Sequence, residues 1–454
     1  MGDTIDSVIY PNGLHVIHQQ SLHDLPICSI YLFCDVGSAF ETDELRGIAH
    51  FLEHMLFQGT KTKTHKDIFQ EYDRIGNQFN AVTTKRFTCF YVKCHENDGE
   101  RVLHLLTDIM QNSKLNEKAM ESEQKVIERE LKTKQSQFDI TAHSFFENAV
   151  YKHSSFEYPI DDFSYRRDPI PQETLKRWYE WFYQPHNIVL SIVSTKSLSY
   201  WKQKLRDTNL SKNGFREKKV QKPKTALFAP IRVPFQPTKP DNIDITIDRD
   251  LKAKNTFMVL GFRTVDQYSD KKYALEFLTH ILNGMSGRLF DTFRQKHGLV
   301  YSIVAESGEE EFEGFFAISA ELDGKYLKKV FELIYIMFMD LIQNGIKDEE
   351  FDIGKQRLKG SHHIQYEDIN TFARHNGLQQ MLFIRDRENV LNGSSKTVLP
   401  FEKLWNHVYE KITKKYLHDI IKELFIYSNI VVSIVTPLDI HLEEIREWSK
   451  KYKP

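Results

Sequence analysis

His50, Glu53 and His54 fall within residues 47–57, GIAHFLEHMLF, whose apolar positions repeat with the period of a helix. At 3.6 residues per turn, the two histidines lie about 40° apart around the axis and Glu53 lies about 60° to the other side. All three side chains therefore project from one face. Two imidazoles one turn apart are zinc ligands by geometry, with metal–nitrogen distances of about 2.0–2.1 Å, and a carboxylate beside them can take a proton from a metal-bound water. The order His-x-x-Glu-His inverts the commoner His-Glu-x-x-His zinc signature but keeps the carboxylate next to both ligands. This is the equipment of a peptidase. A histidine-rich amphipathic helix without a metal is the plainer reading, which 19 histidines in 454 residues allow.

A further ligand has to come from elsewhere in the chain. Residues 116–137 read as a helix, on which Glu123 and Glu130 are nearly two turns apart and share a face within about 20°. One could bind a metal while the other supports a ligand. Glu121 and Glu128 have the same spacing, so spacing does not choose between the pairs.

The surrounding elements follow from pattern. Residues 8–36 contain two apolar runs, LHVIHQ and ICSIYLFCDV, which suggest two antiparallel strands before the histidine helix. Gly47 suits the start of that helix and Gly59 its end. A short helix (HKDIFQEYDRIG) follows, then GNQFNAVTT and FTCFYVKC, a hairpin turning around Lys85-Arg86. Helices over 97–115, 116–137 and 170–183 lead to an apolar strand at 187–194. Between 218 and 240 stand five of the chain's 14 prolines, interleaved with lysines, which marks a linker.

Beyond the linker the plan repeats. A strand at 256–262 and a helix ending at Gly284 match the first strand–helix step, and aligning Gly284 with Gly59 places Leu275, Leu278 and Thr279 opposite His50, Glu53 and His54. The repeat keeps the fold without the metal face. Helices are expected at 325–344, 347–367 and 403–424, with a closing strand at 429–436. The fold class is α+β: two repeated domains, 1–217 and 243–454, joined by a linker at 218–242, each a mostly antiparallel sheet packed with helices.

Composition narrows the function classes. Lys and Arg number 61 against 63 acidic residues, which argues against a nucleic-acid binder. The first ten residues lack the features of a signal or transit peptide, and no apolar run approaches the roughly 20 residues of a membrane span, so a cytoplasmic protein without a membrane role is expected. Cys28, Cys34, Cys89 and Cys94 lie in apolar strand patterns and read as reduced core thiols.

GSAFETDELRGIAHFLEHMLFQGT and EQKVIERE, with 75 residues between His54 and Glu130, resemble the two metal segments of the pitrilysin, insulysin and mitochondrial processing peptidase superfamily of inverted-motif zinc proteases. FNAVTT, FYQPHNIVLSIVST, SGRLFDTFRQKHGLVYS and DEEFDIGKQRLKG extend the resemblance over nearly the whole chain. It implies one zinc ion per chain held by His50, His54 and Glu130, Glu53 as general base, and Glu123 as the carboxylate that orients a ligand. It implies that Asn80 and Ala81 lie on an edge strand that receives an extended peptide substrate. It also implies that Arg294 and Tyr301 contact the substrate across a clamshell, which in a chain carrying both residue sets points to a homodimer.

Two other classes compete. Relatives that lose the metal residues serve as noncatalytic or regulatory shell subunits, against which the intact zinc set argues. The same metal chemistry could also hydrolyse a non-peptide amide.

Overall fold

The computed structural model describes residues 5–22, 24–76, 78–160, 169–208, 210, 243–385 and 398–450. The expected linker, 218–242, lies outside the described residues. Two sheets organise the chain. The first contains β1 (Ile5–Ile9), β2 (His15–Gln20), β3 (Ile27–Cys34), β4 (Gln78–Thr83), β5 (Thr88–His95) and β6 (Ile188–Ser194), in spatial order β1-β2-β6-β3-β5-β4. The second contains β7 (Asp244–Arg249), β8 (Thr256–Thr264), β9 (Val300–Glu309), β10 (Gly314–Leu322) and β11 (Ile430–Thr436), in order β7-β11-β8-β10-β9.

Each sheet has one parallel pair, β2 with β6 in the first and β7 with β11 in the second, and all other neighbours, β1 with β2 included, pair antiparallel. The repeat expected from the sequence is thus present in topology, and β4 and β9 occupy the same free edge. β2 and β3 are antiparallel, as expected, without being neighbours: β6 lies between them. All seven residues of β6, IVLSIVS, are buried, and a strand apolar on both faces belongs in the interior of a sheet.

One face of the first sheet, including Ile30, Leu32 and Val92, builds its core with α1 (Ile48–Leu56) and α3 (Gly99–Asn112) through Leu52, Met55, Leu103 and Leu106. Between them α2 (His65–Ile75) opens on a reciprocal cap, Thr64 with Asp67, and closes at left-handed Gly76. The opposite face, including Ser29 and Phe33, meets the helix Ile369–Arg385, where Ser29 Oγ donates to Asn370 Oδ1 at 2.7 Å. A Cβ at Gly377 would lie 2.2 Å from the Phe33 ring, so only glycine permits this approach.

The second sheet is covered in turn by α5 (Phe138–Val150), which follows α4 (Glu117–Gln135) and packs on β7, β8 and β11. Buried Arg263 ends α5: its Nε donates to the Val150 carbonyl at 3.1 Å and its Nη2 to that of Ala149 at 2.5 Å. The compact units are consequently discontinuous in sequence. The unit of the first sheet takes Gln365–Leu404 and that of the second takes Leu131–Glu157.

The helix expected over 403–424 is broken into short turns before a regular helix, Lys414–Leu424, which Thr413 caps by accepting from the Tyr416 amide. All four cysteines are free and buried. Among the described residues, no helix is long and apolar enough to cross a membrane.

Candidate metal centre

Gly47 precedes α1 in the left-handed conformation, φ 80°, and no side chain of its own is available to cap the helix. Glu41 does so instead. Its two carboxylate oxygens accept from the Gly47 and Ala49 amides at 2.8 and 2.9 Å, placing a negative charge at the positive end of the helix. The helix stops at Leu56, with the Phe57 amide bonded to the His54 carbonyl, and Gly59 (φ 118°) falls in the turn beyond.

On this helix the His50 and His54 rings stand nearly perpendicular, 89°, with their Nε2 atoms 3.2 Å apart. Glu130 of α4 brings Oε2 to 3.7 Å from His54 Nε2 and 4.0 Å from His50 Nε2. Among the described residues these are the only three His, Cys, Asp or Glu side chains whose ligand atoms converge in this way. A circle through atoms separated by 3.2, 3.7 and 4.0 Å has a radius of about 2.1 Å, the length of a zinc–nitrogen or zinc–carboxylate bond. The donor set, two imidazoles and a carboxylate at this spacing, fits a zinc ion.

Glu123, two turns before Glu130, places Oε2 3.2 Å from His54 Nδ1, and its Oε1 accepts from Gln58 Nε2 at 2.7 Å. A proton on Nδ1 directed at the carboxylate leaves Nε2 bare and facing the centre. Burial of His54 favours neutral imidazole, but the Glu123 hydrogen bond and the charges of Glu130, Glu53 and Glu123 outweigh it and hold the pKa above the ordinary histidine value. The site is a field that attracts a cation. The competing pair is placed elsewhere: Glu128 takes an exposed hydrogen bond from Gln124.

Glu53, 8% exposed, does not join the ligand cluster; its Oε2 accepts from Thr83 Oγ1 at 2.5 Å. Thr83 ends β4, and Asn80 and Ala81 lie on that same edge strand, with Asn80 exposed. In the second unit, Arg294 lies on a π-helical segment, Phe290–Lys296, and its Nη1 donates to the Tyr301 carbonyl at 2.7 Å. The Tyr301 side chain, at the start of β9, is 55% exposed. At the repeat's equivalent of the metal face, Leu275 and Leu278 are buried in the core.

Glu41, Gln58 and Thr83 were not singled out by spacing. An acid ahead of a glycine-started helix was a usable signal for Glu41. Gln58 and Thr83 act through long-range contacts that leave no periodic trace.

Two repeated α+β units, one of which carries an inverted His-x-x-Glu-His helix facing a distant glutamate, define the class of two-domain zinc-peptidase-like chains. Residues 16–162 match the family model described as insulinase (Peptidase family M16), and residues 169–358 match the one described as the Peptidase M16 inactive domain. An uncharacterized zinc protease of Rickettsia bellii is 30% identical over 318 residues, 68% of this chain and 71% of the relative. The uncharacterized zinc protease YmxG of Bacillus subtilis is 28% identical over 372 residues, covering 82% of this chain and 87% of the relative. A solved protease structure from Helicobacter pylori superposes with a TM-score of 0.81 at 19% identity, over 96% of this chain and 100% of that one. The chain belongs to peptidase family M16, the insulinase family.

Proposed function

We propose that this protein is a zinc-dependent endopeptidase acting on extended or unfolded peptides. The observation that carries this reading is the spacing of His50 Nε2, His54 Nε2 and Glu130 Oε2 around a point about 2.1 Å from each. These three residues would hold one zinc ion, which when bound supplies a Lewis acid for the scissile carbonyl and draws the pKa of water down towards about 7.

The remaining steps belong to the chain's own groups. Glu53, about one turn after His50 and adjacent to His54 in the chain, takes the proton of the attacking water and returns it to the leaving amine. Glu123 holds His54 in the tautomer that presents Nε2. The free edge of β4, at Asn80 and Ala81, accepts the substrate as an added strand through main-chain hydrogen bonds, which demand an unfolded segment and say little about its side chains. Arg294 and Tyr301 of a second copy complete the site in a homodimer.

Glu53→Gln tests the assignment, since it keeps shape and removes the base. Zinc content should stay at one per chain while cleavage of an unstructured peptide falls by about 10²–10⁴-fold. Turnover within a few-fold of the wild type would rule Glu53 out as the base.

A further inference from the structure

β4 has two faces. Gln78, Asn80 and Val82 are exposed, whereas Phe79, Ala81 and Thr83 point inward, with Phe79 stacked on Tyr72 and Thr83 only 7% exposed. The inward face packs against α1. At its end Thr83 sets one hydroxyl against Glu53, both groups nearly excluded from solvent, at 2.5 Å.

A threonine hydroxyl has a single hydrogen, and here it is given to a carboxylate oxygen in a short, charge-assisted bond. Branching at Cβ restricts the Thr83 rotamer, so the donor is held by the strand itself. Thr83 in turn sits opposite Thr88 at the closed end of the β4–β5 hairpin, where the Thr84 amide bonds to the Phe87 carbonyl at 2.8 Å. Backbone that rigid leaves the hydroxyl little room to move.

We infer that Thr83 is a positioning residue for Glu53, fixing the carboxylate in the plane needed for proton transfer and linking it to the strand edge on which the peptide docks. This rests on the peptidase reading above. The strand that would carry the peptide thus also carries the donor that sets the base. Loss of the hydroxyl therefore lowers kcat more than it changes KM, and displacements near 1 Å at a reacting group cost up to about 10²-fold.

The test uses the full-length, zinc-loaded protein with a quenched fluorescent peptide of no fixed structure. Thr83→Val, which matches the shape and lacks the donor, should retain zinc and Tm, lower kcat by about 10–100-fold, and leave KM within about two-fold. Thr83→Ser should restore kcat to within a few-fold of the wild type. Crystal structures of the metal-free proteins give a readout independent of turnover: the Glu53 carboxylate should leave its position in Thr83→Val and return to it in Thr83→Ser. An active wild type with unchanged kcat in Thr83→Val, or an unmoved Glu53 in that variant, would overturn the inference alone. A wild type that cleaves no peptide would overturn the proposed function, and the catalytic meaning of this contact with it.

Discussion

Glu130 supplies the only carboxylate among the three converging ligand atoms, so Glu130→Ala should leave the purified protein with well under one zinc per chain by elemental analysis. Full occupancy in that variant would remove Glu130 from the centre. Glu123→Gln keeps an acceptor for His54 but loses the charge that raises its pKa, and a supporting carboxylate of this kind is worth about 10–100-fold in metal affinity. Competition with a zinc chelator measures it. The histidine pair and Glu53 were legible in the sequence because four-residue spacing on a helix leaves one solution. The glutamate was not, because Glu121–Glu128 and Glu123–Glu130 have one period; the side-chain contacts made in the folded chain separate them. Glu128 turns to solvent beside Gln124, and Glu123 and Glu130 turn to the histidines.

At the level of elements, α1 depends on a cap from outside itself. Glu41→Ala strips two buried amides of their acceptor and should cost about 1–2 kcal/mol, read as a lower Tm, with zinc affinity weakened because the helix carries both histidines. A second prediction concerns the end of β9. Burial pushes the Glu309 carboxyl up to about 7, against the pull of Lys272 and with help from Glu276 and Glu310. Because the folded value lies above the ordinary 4.5, the native state holds a proton that the unfolded chain releases, so this group's contribution is fully present below about 4.5 and is lost as pH rises through 7. Glu309→Gln should therefore flatten the fall of Tm between those limits; an unaltered Tm–pH curve would contradict the buried assignment. Glu306 and Glu309 both lie in β9, and Glu306 accepts a hydrogen bond from Ser319 Oγ. Sequence pattern also passed over α5 and the helix Ile369–Arg385. On α5 the buried positions Ala142, Phe146 and Val150 form one stripe, but apolar Ile140 and Phe145 lie off it, and the buried side of Ile369–Arg385 includes Asn376 and Gly377, so residue type does not mark the buried face of either helix.

Across the whole molecule the repeat was readable because both halves keep the same strand order, whereas the exchange of covering helices between the sheets was not, since it depends on which sheet a helix meets and not on its own residues. The proposed homodimer follows from one chain holding both the zinc residues and the Arg294–Tyr301 pair. Glu53→Gln and Arg294→Ala chains, each nearly inactive alone, should recover some activity when mixed, because one site of the mixed dimer is intact. A fully active monomer would sink that assembly. The most direct measurement is a zinc titration of the chelated wild type, followed by cleavage of an unstructured peptide. Activity should be absent at the start, rise in proportion to added zinc and level off at one zinc per chain. Cleavage that persists in the chelated protein, or none at one bound zinc per chain, would contradict a catalytic centre built on His50, His54 and Glu130.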